Sequence, residues 1–197
     1  MTQAVEFWFD VGSPAAYLAW TQMPRLAAQT GARIDHRPFL LGGVFHATGN
    51  RSPTEVPAKG RYMLEDLARC ARRQGAPFNH NPHFPINTLM LMRGAIGLQM
   101  REPDRMPGYV DAMFRAIWVD GRNMNDAAEV ASALQGAGFD ALQLQALVAD
   151  PAVKEELKKA TQEAVERGVF GAPTFFVGEQ MYWGQDRLDF VQEAIQK

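Results

Sequence analysis

An α/β fold, with a small sheet interrupted by an inserted all-helical block, is predicted by three features of this sequence. Residues up to Leu40 read strand, helix, strand; from there to Arg167 the periodicity is mostly helical; from Val169 the pattern turns extended again before a final helix.

The first strand is the apolar run Val5 to Phe9, too short for a helix and rich in aromatics, which suits the middle of a sheet. Gly12 marks a turn, and Ser13 stands at a helix N-cap with Pro14 at the first helical position, where its missing N–H costs nothing. Ala16, Ala19, Trp20, Met23, Leu26 and Ala27 then form one apolar stripe, and Gly31 reads as the C-cap. Arg33 to Leu40 makes a second strand ending near Pro38, joined by a right-handed crossover. Leu41 to Pro53 is too rich in Gly, Pro and polar residues to be regular throughout, so a loop with one helical turn is expected. Val56 to Lys59 leads into a helix with Leu64, Leu67, Ala68 and Ala71 on its inner face, ending before Gly75.

Pro82 and Pro85 make Phe78 to Pro85 an ordered loop. Helices are predicted over Asn87 to Met100, Pro107 to Trp118, Ala127 to Leu134, Ala141 to Val148 and Pro151 to Arg167, with Met90, Met92 and Met100 as core filler. Val169 to Gly178 is extended, Glu179-Gln180 is the turn of a hairpin into Met181 to Trp183, and Gly184-Gln185-Asp186 is a further turn and cap before a helix striped by Leu188, Val191 and Ile195. This order is that of a thioredoxin-like sheet with a helical insertion. Residues 1–42 and 168–197 would form the thioredoxin-like domain and 43–167 the inserted helical domain.

The 197 residues, 47% of them hydrophobic, suffice for a real core. With 20 Lys+Arg against 22 Asp+Glu the formal net charge is -2, which gives no field to attract nucleic acid or an anionic membrane surface. The first ten residues lack a signal-peptide pattern and no apolar run reaches spanning length, so a soluble, cytoplasmic protein is expected. A single cysteine, Cys70, excludes an internal disulfide and a Cys-x-x-Cys redox centre. Any thiol chemistry needs a thiol from outside. His80 and His83 with the distant Cys70 are too scattered a set for zinc, and no metal is expected.

Ser13 holds a hydroxyl at a helix N-terminus and at the carboxyl end of a strand, where free N–H groups and the helix dipole favour a thiolate, phosphate or carboxylate. The same residues, taken alone, also make a well-formed helix start. The motifs Phe9-Asp10-Val11-Gly12-Ser13-Pro14, Leu41-Gly42-Gly43 through Gly49-Asn50 to Pro57-Ala58-Lys59-Gly60-Arg61-Tyr62-Met63, Phe170-Gly171-Ala172-Pro173-Thr174 and Trp183-Gly184-Gln185-Asp186-Arg187-Leu188 extend the pattern over nearly the whole chain. In these motifs the chain resembles the kappa-class glutathione transferases and the related 2-hydroxychromene-2-carboxylate isomerases, both built on the disulfide-oxidoreductase version of the thioredoxin fold.

The resemblance implies that glutathione is the cofactor and that Ser13 takes the place of the redox members' cysteine and faces the glutathione sulfur. It implies a cis Pro173, with the Ala172 backbone left to pair with the cysteinyl unit; an edge-strand proline is the structural alternative. Gln185 and Asp186 would hold the γ-glutamyl end and Trp183 and Gly184 would also bind glutathione, although Asp186 is also a ready N-cap. Asn50 and Lys59 would lie at the ligand, and His46, Asn50 and Asn87 at the second substrate. At His46 the family often carries Lys, and an imidazole binds a carboxylate less firmly. The activity implied is isomerisation of 2-hydroxychromene-2-carboxylate to trans-o-hydroxybenzylidenepyruvate in aromatic catabolism. Conjugation of glutathione to small electrophiles, or a catalytically idle binding role, are the other readings. Relatives suggest a homodimer.

Overall fold

A computed structural model describes residues 4–196. Strand β1 (Ala4–Phe9), helix α1 (Pro14–Thr30) and strand β2 (Arg33–Pro38) form the opening β-α-β unit. Helices α2 (Leu41–Thr48), α3 (Pro57–Gln74), α4 (Leu89–Arg101), α5 (Met106–Trp118), α6 (Ala127–Gly136), α7 (Ala141–Ala149) and α8 (Pro151–Glu166) follow. The hairpin β3 (Thr174–Val177) and β4 (Gln180–Trp183) and helix α9 (Leu188–Ile195) close the chain. The mixed sheet runs β2-β1-β3-β4, with β1 parallel to β2 and antiparallel to β3. This is the expected α/β arrangement, and the ends of the assignment at residues 1–3 and 197 lie outside the described residues.

Alternation along β1 sends its side chains to two cores. Val5, Phe7 and Phe9 join Phe175, Met23, Leu26, Phe114 and Val191 on one face. Trp8 joins Phe39, Val44, Ala164 and Phe176 on the other, under α2 and α8. Phe7 lies opposite Phe175 in the register and stacks on it at 5.2 Å. No helix of the described residues is long and apolar enough to cross a membrane.

Several expectations are corrected. Leu41 to Thr48 is a full helix, because Gly43 serves a close approach to α8: a Cβ there would meet the Thr161 methyl at 2.9 Å. The extended segment becomes a strand only at Thr174, and the hairpin turn is Gly178-Glu179, with Gln180 already paired to Val177. Helix α9 has Arg187 at its N-cap and no capping side chain, so Asp186 does not cap it. Of the three methionines, Met92 is buried, whereas Met90 and Met100 are exposed. The helices from α4 to α8 agree with the periodicity to within two residues at each end.

Candidate functional site

The turn after β1 is fixed by its own backbone and by the insertion. The Gly12 N–H donates to the Asp10 Oδ1 at 2.9 Å, the Ser13 N–H to the Asp10 carbonyl at 3.0 Å, and the Val11 N–H to the Met92 sulfur at 3.4 Å. From α5 the Trp118 indole N–H donates to the Val11 carbonyl at 2.9 Å. Gly12 is required here because a Cβ would meet the Thr88 methyl at 2.8 Å. Ser13 follows as the N-cap of α1, its Oγ accepting from the Ala16 N–H at 3.1 Å.

The Ser13 hydroxyl donates its proton to the Ala172 carbonyl at 2.8 Å, which joins the first and last parts of the chain at the helix N-terminus. Ser13 is 5% exposed. The Ala172–Pro173 bond is cis, as the resemblance implied. The N–H groups of Ala15 and Ala172 donate to no protein acceptor among the described residues, so free donors stand on both sides of the Ser13 hydroxyl. The Pro173 carbonyl accepts from the Gly184 N–H at 3.0 Å, bringing the next candidate segment alongside. Trp183, 51% exposed, lays its indole over Gly171, where a Cβ would sit 2.5 Å from its ring nitrogen, and its ring lies 5.0 Å from that of Phe170.

Other candidates are engaged within the protein. The Asn50 amide donates to the Phe170 carbonyl at 2.8 Å and its oxygen accepts from the Arg51 N–H, which braces the segment leading to Ala172. Buried Gln185 donates to the Cys70 sulfur at 3.2 Å and accepts from Gln74 at 2.6 Å, while Asp186 pairs with Arg187 at 2.9 Å near solvent. Ser13, Asn50, Ala172, Pro173, Trp183, Gly184 and Gln185 thus form one chain of contacts. Lys59, on the first turn of α3, and His46, on α2, are exposed, and their side chains make no hydrogen bond among the described residues. Asn87 accepts from the Leu89 N–H at 3.2 Å and adjoins Thr88, which packs on Gly12.

Sequence reasoning missed a role for Asp10. It is 1% exposed and accepts from the Gly12 N–H, from the Leu41 N–H at 2.8 Å and from the Thr88 hydroxyl at 3.0 Å. Burial pushes this carboxyl above the usual range, and the three hydrogen bonds oppose that shift. A carboxylate between an aromatic strand and a glycine turn is a signal that the sequence does carry. No group of three or more His, Cys, Asp or Glu that could hold a metal occurs among the described residues.

Against known proteins, residues 4–196 match the model of the DSBA-like thioredoxin domain. A 2-hydroxychromene-2-carboxylate isomerase of Sphingobium xenophagum is 37% identical over 99% of this chain and 99% of its own length. The human glutathione S-transferase kappa 1 is 27% identical over 99% of this chain and 92% of its own. A solved structure of a 2-hydroxychromene-2-carboxylate isomerase superposes with a TM-score of 0.86 at 30% identity, covering 98% of this chain and 94% of that one.

Proposed function

Because the chain belongs to the DSBA-like thioredoxin domain family, in the group of 2-hydroxychromene-2-carboxylate isomerases and kappa-class glutathione transferases, we propose that it is a glutathione-dependent isomerase interconverting 2-hydroxychromene-2-carboxylate and trans-o-hydroxybenzylidenepyruvate. Relatives of this name support an isomerase or a glutathione-related activity. The observation that carries the finer reading is the Ser13 hydroxyl at the start of α1, bonded to the Ala172 carbonyl and set between the free N–H groups of Ala15 and Ala172. These donors fit a peptide built around a cysteine: the Ala172 N–H and carbonyl suit pairing with a peptide unit, and the hydroxyl suits its sulfur.

When bound, glutathione would supply a thiolate that adds reversibly to a conjugated carbon of the chromene and frees the former double bond to rotate. The chain's own part is to hold that sulfur as an anion. The Ser13 hydroxyl is a rotor, so its proton can turn from the Ala172 carbonyl to the sulfur while the carbonyl accepts from the ligand's N–H. Together with the Ala15 N–H and the helix dipole, this hydrogen bond draws the thiol pKa down from about 8.5 towards neutrality. Gln185 holds the turn at Gly184 through Cys70 and Gln74, and Asn50 holds Phe170, so both act in this reading by fixing the segments around Ser13. The Lys59 ammonium and the His46 imidazole are the exposed groups that would meet anionic groups of glutathione and substrate.

Calorimetric titration with reduced glutathione should give saturable heat, and Ser13→Ala should weaken that binding by about tenfold, the worth of a hydrogen bond to a charged group. Conversion of hydroxychromene carboxylate should require glutathione in catalytic amount. An absence of heat, or turnover that is indifferent to Ser13→Ala, overturns the reading. The full-length kappa-class similarity supports conjugation as a second reading; net consumption of glutathione with a chlorinated nitrobenzene, without chromene turnover, would favour it. A cytoplasmic location and assembly as a homodimer belong to the same proposal, and light scattering tests the second.

A further inference from the structure

The Asp10 carboxylate joins three stretches of chain that each lead to a candidate residue. One donor is the Gly12 N–H, beside Ser13. Another is the Leu41 N–H, the first of α2, which has no capping side chain of its own at Leu40 and which leads to His46 and Asn50. The third is the hydroxyl of Thr88, which stands at the N-cap of α4 beside Asn87 and spends its side chain on Asp10 instead of on its helix. Two donors converge on Oδ2 and one on Oδ1, so the carboxylate acts as a distant cap for α2 and as a clasp between turn and insertion.

These three attachments are not equally replaceable. Ser13 keeps its bonds to the Ala16 N–H and the Ala172 carbonyl, and its own N–H bonds the Asp10 backbone, none of which uses the carboxylate. The Leu41 N–H and the Thr88 hydroxyl have no other recorded acceptor among the described residues. We propose that Asp10 is a positioning residue, which sets the wall carrying His46 and Asn87 against the Ser13 turn, and so governs the second substrate more than glutathione. This inference rests on the function proposed above.

The test is Asp10→Ala, which removes both acceptor oxygens at once, whereas an amide could keep Leu41 and Thr88 by turning its oxygen to the Oδ2 position. In the isomerase assay KM for hydroxychromene carboxylate should rise about tenfold, while the calorimetric Kd for glutathione stays within about threefold. Amide hydrogen exchange should accelerate in residues 41–48 and 88–92 and remain unchanged in 13–17. A glutathione Kd that weakens as much as KM rises, or unchanged exchange in 41–48, overturns the proposal. Should Asp10→Ala fail to fold, Thr88→Val removes a single donor with little change in shape. It should raise KM and loosen residues 88–92, and Thr88→Ser should restore both; a silent Thr88→Val, or no rescue by serine, sinks the inference. The exchange experiment needs no ligand, so a wild-type protein that binds no glutathione would defeat the functional reading while leaving the clasp to be judged on its own.

Discussion

Ser13 does structural and chemical duty with one oxygen, and a thiol in its place separates the two. Sulfur at a helix N-terminus is easily ionised, and Ser13→Cys would put a nucleophile where the wild type has a donor. With oxidised glutathione the variant should form a mixed disulfide with release of one reduced glutathione, seen by mass spectrometry as a single adduct at residue 13. The wild type, whose only cysteine is half-buried Cys70 on α3, should not form it there; an unmodified variant would mean that the position is not open to glutathione. His36 shows a different kind of dependence on surroundings. It packs 5.0 Å from Trp20 and edge-on to Phe7 and Phe9, and burial lowers its pKa, with Asp35 opposing. The unfolded chain takes up the proton at about pH 6.5 and the folded one only at lower pH. The stability tied to a neutral His36 is therefore complete above about pH 6.5 and is lost as pH falls through the folded value. In urea titrations across that range, His36→Gln should flatten the wild-type decline, and an identical slope in both proteins would remove His36 as its source.

Helix α2 shows what neighbouring glycines do when only one has a neighbour. Around Gly42 a Cβ would meet nothing within 4 Å, whereas at Gly43 it would meet Thr161, whose hydroxyl accepts from the Leu40 N–H and donates to the Leu157 carbonyl and so cannot turn away. Gly42→Ala should stabilise the protein by about 0.5 kcal/mol through the unfolded chain. Gly43→Ala should destabilise it by about 1 kcal/mol or more, because the helix must move off α8. Equal effects in denaturant midpoints would contradict this account of the packing. The same pair hides α2 from a reading of the sequence: intrinsic preference counts both glycines against a helix, and the contact with α8 that favours Gly43 lies far along the chain. Elements governed by local rules were legible, such as α1 with its Ser13 cap and Pro14 start, or α5 with its apolar stripe. At the site, Ser13 and the Ala172–Pro173 segment could be singled out from turn chemistry and resemblance. The partners of Asn50, Gln185 and Asp10 could not, since Phe170, Cys70 and Thr88 lie 120, 115 and 78 residues away and only packing brings them close.

At the scale of the whole molecule, the question is whether the helical insertion stands apart from the sheet that it interrupts. Its ties to the sheet are numerous, and those of Trp118 and Thr88 are buried. Trp118 of α5 donates to Val11, Gln99 of α4 donates to the His36 carbonyl at 2.7 Å, Thr88 clasps Asp10, and Glu163 of α8 pairs with Arg37 of β2 at 2.6 Å. One apolar cluster runs from Phe7 and Phe175 of the sheet through Phe114 and Trp118 to Leu157 of α8 without a break. Opening the boundary would expose Phe114 and Trp118, and burying an aromatic side chain of this kind is worth about 2 kcal/mol or more. Sheet and insertion should therefore unfold in one cooperative step. Far-ultraviolet circular dichroism follows mainly the helices, and tryptophan fluorescence follows Trp8 and Trp20 beside the sheet as well as Trp118. In urea the two probes should give one midpoint. Reduced glutathione at about a hundred times its Kd should raise stability by about 2.7 kcal/mol and move both curves together. An early loss of helix signal accompanied by only the Trp118 part of the fluorescence change would show instead that the insertion melts alone, and a ligand shift in one probe only would place the binding energy on one side of the boundary.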